Sequence, residues 1–94
     1  MQICKVIGKV WATRKDEKLG GLKLLIVQPV NVLDDQERKP PLVAADIIGA
    51  GVGEYVLVVS GSSARSAVGN MQTPVDATVV GIVDDKEIDQ SVLY

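Results

Sequence analysis

Histidine and phenylalanine are missing from this 94-residue chain, and cysteine and tryptophan occur once each, beside two tyrosines. Without histidine, nucleophilic or acid–base chemistry that moves a proton through imidazole is excluded. With one thiol, Cys4, no disulfide can form within the chain, and a zinc site would need unusual all-carboxylate ligation. Neither a metal nor a cofactor is expected. Three aromatic residues offer few platforms for stacked bases. The formal net charge is −2, with both signs spread along the sequence, which is no footprint for a polyanion. No apolar run approaches the roughly 18–20 residues of a membrane span. Met1-Gln2-Ile3-Cys4-Lys5 lacks the long apolar core of a secretory signal. A cytosolic protein without membrane or nucleic-acid partners is expected.

What is present points to strands. The length suits one domain, residues 1–94, with a core small enough that association is a natural supplement. Cys4, Val6, Gly8, Val10 and Ala12 alternate with Lys5 and Lys9, the period of a half-buried strand. Cys4 in such a stretch reads as a buried, inert thiol. A charged loop from Thr13 to Lys18 ends at Gly20-Gly21. A second strand runs from Leu22 to Val32, with a bend or free edge expected at Pro29. A polar loop ending in Pro40-Pro41 follows, then strands Leu42–Ile48, Glu54–Ser60 and Ala77–Asp84. Ser62 to Gly69 is the one helix candidate, opened by serine and closed by glycine. The last segment, Ile88 to Tyr94, is extended in character.

Two glycine-rich corners flank the fourth strand: Gly49-Ala50-Gly51-Val52-Gly53-Glu54 and Gly61-Ser62-Ser63-Ala64-Arg65. The first is a poor nucleotide loop. Its sixth position is Glu54, an anion where phosphate would sit, and a strand follows where the fingerprint needs a helix. A tight strand-to-strand corner is the better reading. Five strands and a short helix between the fourth and fifth predict an all-β fold, a small closed five-stranded barrel of OB-like kind, with an extended C-terminal segment. Small alternating residues suit its narrow bore.

These residues carry a family likeness. Lys5-Val6-Ile7-Gly8-Lys9-Val10, Thr13-Arg14-Lys15, Leu19 to Leu25, Val43-Ala44-Ala45-Asp46, both glycine corners, Pro74 to Ala77 and Gly81 to Asp84 together resemble the EutN/CcmL family, the vertex proteins of bacterial microcompartment shells. The resemblance spans nearly the whole chain. It implies a barrel protomer, a homopentamer around an axial pore, and a structural role at fivefold corners of shells tiled elsewhere by hexagonal shell proteins. It implies no catalysis. The form of the second corner, and the stop at Val92-Leu93-Tyr94, are more similar to metabolosome members than to carboxysome ones.

Under that resemblance, specific residues acquire expected places. A closed ring of heterologous contacts needs rigid, close-packed corners, so Gly49, Ala50, Gly51 and Gly53 are expected at or near the subunit contact. Glu54 would anchor their loop by accepting a backbone N–H or by pairing with a neighbour's cation, with Arg65 the leading partner. Gly61, Ser62 and Ser63 are expected at the pore. Arg14, Lys15 and Lys18 form a basic loop suited to the rim of a hexagonal tile. Ile88 to Tyr94 could add to a neighbouring subunit as a strand. Two rivals from other classes stand beside this reading. One is an OB-type single-stranded nucleic-acid binder, using Trp11, Tyr55 and Tyr94 for stacking. The other is an enzyme using Asp46, Glu54 and Asp76 as acid–base groups, although carboxylates at strand ends more often serve turns and caps.

Overall fold

The five expected strands are β1 (Gln2–Val10), β2 (Lys23–Pro29), β3 (Leu42–Asp46), β4 (Tyr55–Ser60) and β5 (Ala77–Val83). They come from a computed structural model that describes residues 1–12 and 15–92. Arg14 and Tyr94 therefore lie outside the described residues. The strands close into a barrel in the order β1-β2-β3-β5-β4, with β4 returning to β1. Every pairing is antiparallel except β3 with β5. Closure leaves no sheet edge open.

The bore is filled by small side chains, as the alternation predicts. Cys4, Val6, Leu25, Val27, Val56, Val58 and Val79 are fully buried, with Ala44 and Ala77 beside them. Leu25 is the largest of these. Each buried valine contributes about 1.5–3 kcal/mol of apolar transfer, and a narrow barrel has no room for aromatics.

Two stretches depart from simple alternation: β4 against β5 shifts register between Leu57 and Val58, and β1 against β2 does so as well. A bulge between Val6 and Gly8 shifts the register, so that Gly8 faces Ile26, and Val10 faces Leu24, rather than continuing the inward row of Cys4 and Val6. The extra residue is Ile7, which becomes exposed. Bulges reverse the facing of later residues in this way. Pro29 does not bend β2; it ends it, opposite Cys4.

Helix α1 (Gly61–Ala67) lies between β4 and β5. It starts one residue before the expected serine and uses Ser60 as its cap, without a side-chain cap bond. Its end is specified more strongly. Gly69 has φ +87°, and the N–H groups of Gly69 and Asn70 donate to the carbonyls of Ser66 and Arg65. That pair of bonds is the Schellman arrangement, which glycine closes without steric cost. Ala64 is buried beneath the helix, and the Thr78 hydroxyl donates to its carbonyl at 2.9 Å. Since Thr78 is wholly buried, this bond fastens α1 to β5. Among the described residues, no strand follows β5, and a 3-10 turn forms at Gln90–Val92. Residues 88–92 are therefore not paired as a strand within the protomer.

Candidate functional site

The corner between β3 and β4 is built by two carboxylates. Asp46, the last residue of β3, accepts the N–H groups of Ile48 and Gly49 on Oδ1 and of Ala50 on Oδ2, all at 3.0 Å. Glu54 Oε1 accepts the Gly51 N–H at 2.6 Å. Four successive backbone donors, residues 48 to 51, thus end on ionisable side chains. Charge-assisted bonds of this kind are about twice as strong as neutral ones. The far end of the loop is stitched to β1: Gly53 N–H donates to the Val6 carbonyl at 2.8 Å, and Val6 N–H to that of Glu54 at 2.9 Å. Gly49 and Gly53 adopt φ of +93° and +94°, a region L side chains rarely enter. The chemistry at this corner is thus backbone anchoring, and it leaves a stiff loop.

That loop presents apolar surface. Ile47, Ile48 and Val52 are all exposed, Val52 by 59%. Three exposed aliphatic side chains on one pinned loop leave apolar surface facing water. Sequence reasoning named the glycines and missed these three residues. The available signal was their β-branched, apolar character inside a glycine-rich turn.

The named residues divide. Gly49, Gly53 and Glu54 are exposed, Gly51 is half-buried, and Ala50 is fully buried in the barrel core. Ala50 therefore packs inside its own protomer, because the Asp46 bonds draw its backbone inward. Arg65 is half-buried on α1. The six residues of β4 separate Glu54 from α1, a span of about 20 Å at the usual rise per residue. The two cannot pair within one protomer. Ser62 and Ser63 are exposed on the first turn of α1, with Gly61 half-buried. Lys15 and Lys18 are exposed. Lys18 sits in a 3-10 turn, Glu17–Leu19, whose cap Asp16 accepts the Lys18 N–H.

Among the described residues, the rival sites do not assemble. Asp46 and Glu54 are engaged by the backbone as described, and Asp76 is exposed at the start of β5, its carbonyl accepting the Gly61 N–H. Trp11 and Tyr55 stand far apart. Lys5 is the register partner of Tyr55, and Trp11 lies six residues further along, about 20 Å for extended backbone. They form no continuous stacking platform. Among the described residues, no group of three or more potential metal ligands converges, and no helix is long and apolar enough to cross a membrane.

The class defined by this architecture is that of small closed OB-like barrels with a rigid apolar corner. The family model described as ethanolamine utilisation protein EutN/carboxysome matches residues 1–84. The carboxysome shell vertex protein CcmL of Synechocystis sp. is 45% identical over 94 residues, covering all of this chain and 93% of the relative. The solved structure of Gloeobacter violaceus CcmL superposes with a TM-score of 0.87 at 40% identity, covering 95% of this chain and 91% of that one. The GrpN pentameric microcompartment shell protein of Rhodospirillum rubrum does so with a TM-score of 0.84 at 43% identity, covering 95% and 100%. The chain belongs to the EutN/CcmL family.

Proposed function

We propose that this chain is a structural shell protein. Five copies close into a ring that caps the fivefold vertices of a polyhedral bacterial microcompartment in the cytoplasm, meeting hexagonal shell proteins along its rim. Family membership supports the assembly class. The observation that carries the reading for this chain is the corner Ile47–Glu54, apolar outside and pinned inside by Asp46 and Glu54. A closed ring repeats one joint five times, so slack in one joint is multiplied around the circle. A corner with its backbone donors satisfied supplies the stiffness.

Gly49, Gly51, Gly53 and Glu54 are placed at the subunit contact with Ile47, Ile48 and Val52. A Glu54–Arg65 pair, spanning two ends of β4, joins two copies if it forms. The first turn of α1, Gly61-Ser62-Ser63, is assigned to the axial opening, and Arg14, Lys15 and Lys18 to the rim facing a tile. Identity does not separate carboxysome relatives from other microcompartment relatives, at 45% for CcmL over 94 residues and 45% for GrpN over 89. The proposed role is therefore common to both.

Native mass spectrometry tests the reading. A dominant fivefold species is expected, and Gly51→Trp is expected to yield monomers with an unchanged far-ultraviolet circular dichroism spectrum. A stable monomer for the unaltered chain, or an intact ring from Gly51→Trp, would refute ring formation or the placement respectively.

A further inference from the structure

We propose that the segment following β5 of one copy docks in the Lys5–Tyr55 cleft of the next copy around the ring. The inference rests on the ring reading above and names a second, separate joint within it.

The cleft has a volume of about 330 Å³ and lies between β1, the end of β2 and the loop after it. Ile7, Val30 and Val32 give it apolar walls, and Lys5, Lys86 and Tyr55 form one end. The ammonium groups of Lys5 and Lys86 stand 5.7 and 5.8 Å from the centroid of the Tyr55 ring, so two cations share one aromatic residue. Arg38, Asp35 and Glu37, from the loop after β2, line the cleft as well. There Glu37 accepts from the Asn31 amide, Asp35 accepts from Gln36 at 3.4 Å, and Arg38 donates to the Asp35 carbonyl at 2.5 Å. The loop groups are thus occupied with one another. At the Tyr55 end stand two ammonium groups, with Asp84 and Asp85 in a second cavity that Tyr55 also lines.

Residues 84–92 have the complementary character. They carry Asp84, Asp85, Glu87 and Asp89 against a single cation, Lys86, with Ile88 and Val92 as apolar residues. The first three residues are held by their own barrel: Lys86 lies over the Tyr55 ring, and Asp84 and Asp85 line the cavity beside it. Among the described residues, the one backbone hydrogen bond of this segment outside the ladders runs within it, Val92 N–H to the Asp89 carbonyl. Asp85 and Asp89 likewise accept from residues of the same segment. Val92 is 77% exposed. None of residues 87–92 lines the cleft of its own protomer.

Reach permits the exchange. Nine residues span up to about 30 Å when extended, more than the molecule's 23 × 21 Å cross-section. Lys86 lines the cleft from which its own tail departs, so every copy both offers a tail and holds a cleft. That is the head-to-tail relation from which rings are built. The acidic segment meets Lys5 and Lys86 of the neighbour, and Ile88 and Val92 meet Ile7, Val30 and Val32.

Cross-linking between distinct copies tests this. Val92→Cys and Val32→Cys chains, each in a Cys4→Ala background, are co-refolded in equal amounts and oxidised. A covalent dimer is expected on non-reducing gels from the mixture and from neither variant alone. Adding Lys5→Glu to the cleft copy should lower its yield several-fold, and adding Glu87→Lys to the tail copy should restore it. A fivefold native mass without the mixed dimer overturns the docking and leaves the ring standing. A dimer from Val92→Cys alone also overturns it, as a tail-to-tail contact. A monomeric native mass overturns both inferences together.

Discussion

Replacing Asp46 removes the group that holds the β3–β4 corner, and the cost can be worked from its three bonds. In Asp46→Ala the N–H groups of Ile48, Gly49 and Ala50 lose their acceptor. Ile48 and Gly49 are exposed and water can replace the carboxylate, leaving a few tenths of a kcal/mol each. Ala50 is fully buried, and an orphaned buried donor costs about 1–3 kcal/mol. The expected total is about 2–4 kcal/mol. Asp46→Asn is the sharper variant. Its carbonyl can still serve Ile48 and Gly49, while its NH2 group faces the Ala50 N–H, donor against donor. Its cost should be about 1–3 kcal/mol, concentrated at one amide. Urea unfolding at a fixed protomer concentration measures the total, since assembly makes apparent stability concentration-dependent. Hydrogen exchange at the Ala50 amide locates it. If Asp46→Asn costs under about 0.5 kcal/mol, or leaves Ala50 protection unchanged, the carboxylate does not hold the corner and the argument for its stiffness fails.

Two further outcomes are expected. Thr78→Val keeps the shape of a buried side chain but loses its bond to the Ala64 carbonyl, so it should cost about 0.5–1.5 kcal/mol and loosen α1; unchanged exchange at α1 amides would refute that bond as the fastening. Burial pushes the Cys4 thiol from 9.0 up to about 11. Between those values the unfolded chain releases this proton and the folded chain keeps it, so stability falls as pH rises from 9 to 11, by up to about 3 kcal/mol. Below pH 9 this group adds no pH dependence. Urea unfolding of the chain and of Cys4→Ala, compared from about pH 8 to about pH 11, isolates the effect, and a constant difference between them would refute it.

Local pattern carried far in this protein. Period-two alternation located all five strands to within a few residues, because a side chain's facing in a strand depends only on its position along it. Gly69 marked the helix end, since a left-handed position after a helix selects glycine whatever surrounds it. The absence of histidine removed whole classes of chemistry without reference to any fold. The rest depended on neighbours distant in the chain. The bulge at Ile7 lies just past the last β1–β4 pair, Lys5 with Tyr55, and nothing between Lys5 and Lys9 announces it. Ala50 looked like a corner residue and proved to be core, because Asp46 draws the backbone of residues 48 to 50 inward. The separation of Glu54 from Arg65 became legible only once β4 stood between them. Composition and periodicity determined that this chain makes strands, lacks imidazole chemistry and turns sharply at two glycine corners. Tertiary structure alone decided which sides of those corners are buried, which donors the carboxylates satisfy and which apolar residues remain outside. The reason is that facing and turn geometry follow from adjacent residues, whereas burial and hydrogen-bond partnership are properties of the closed barrel.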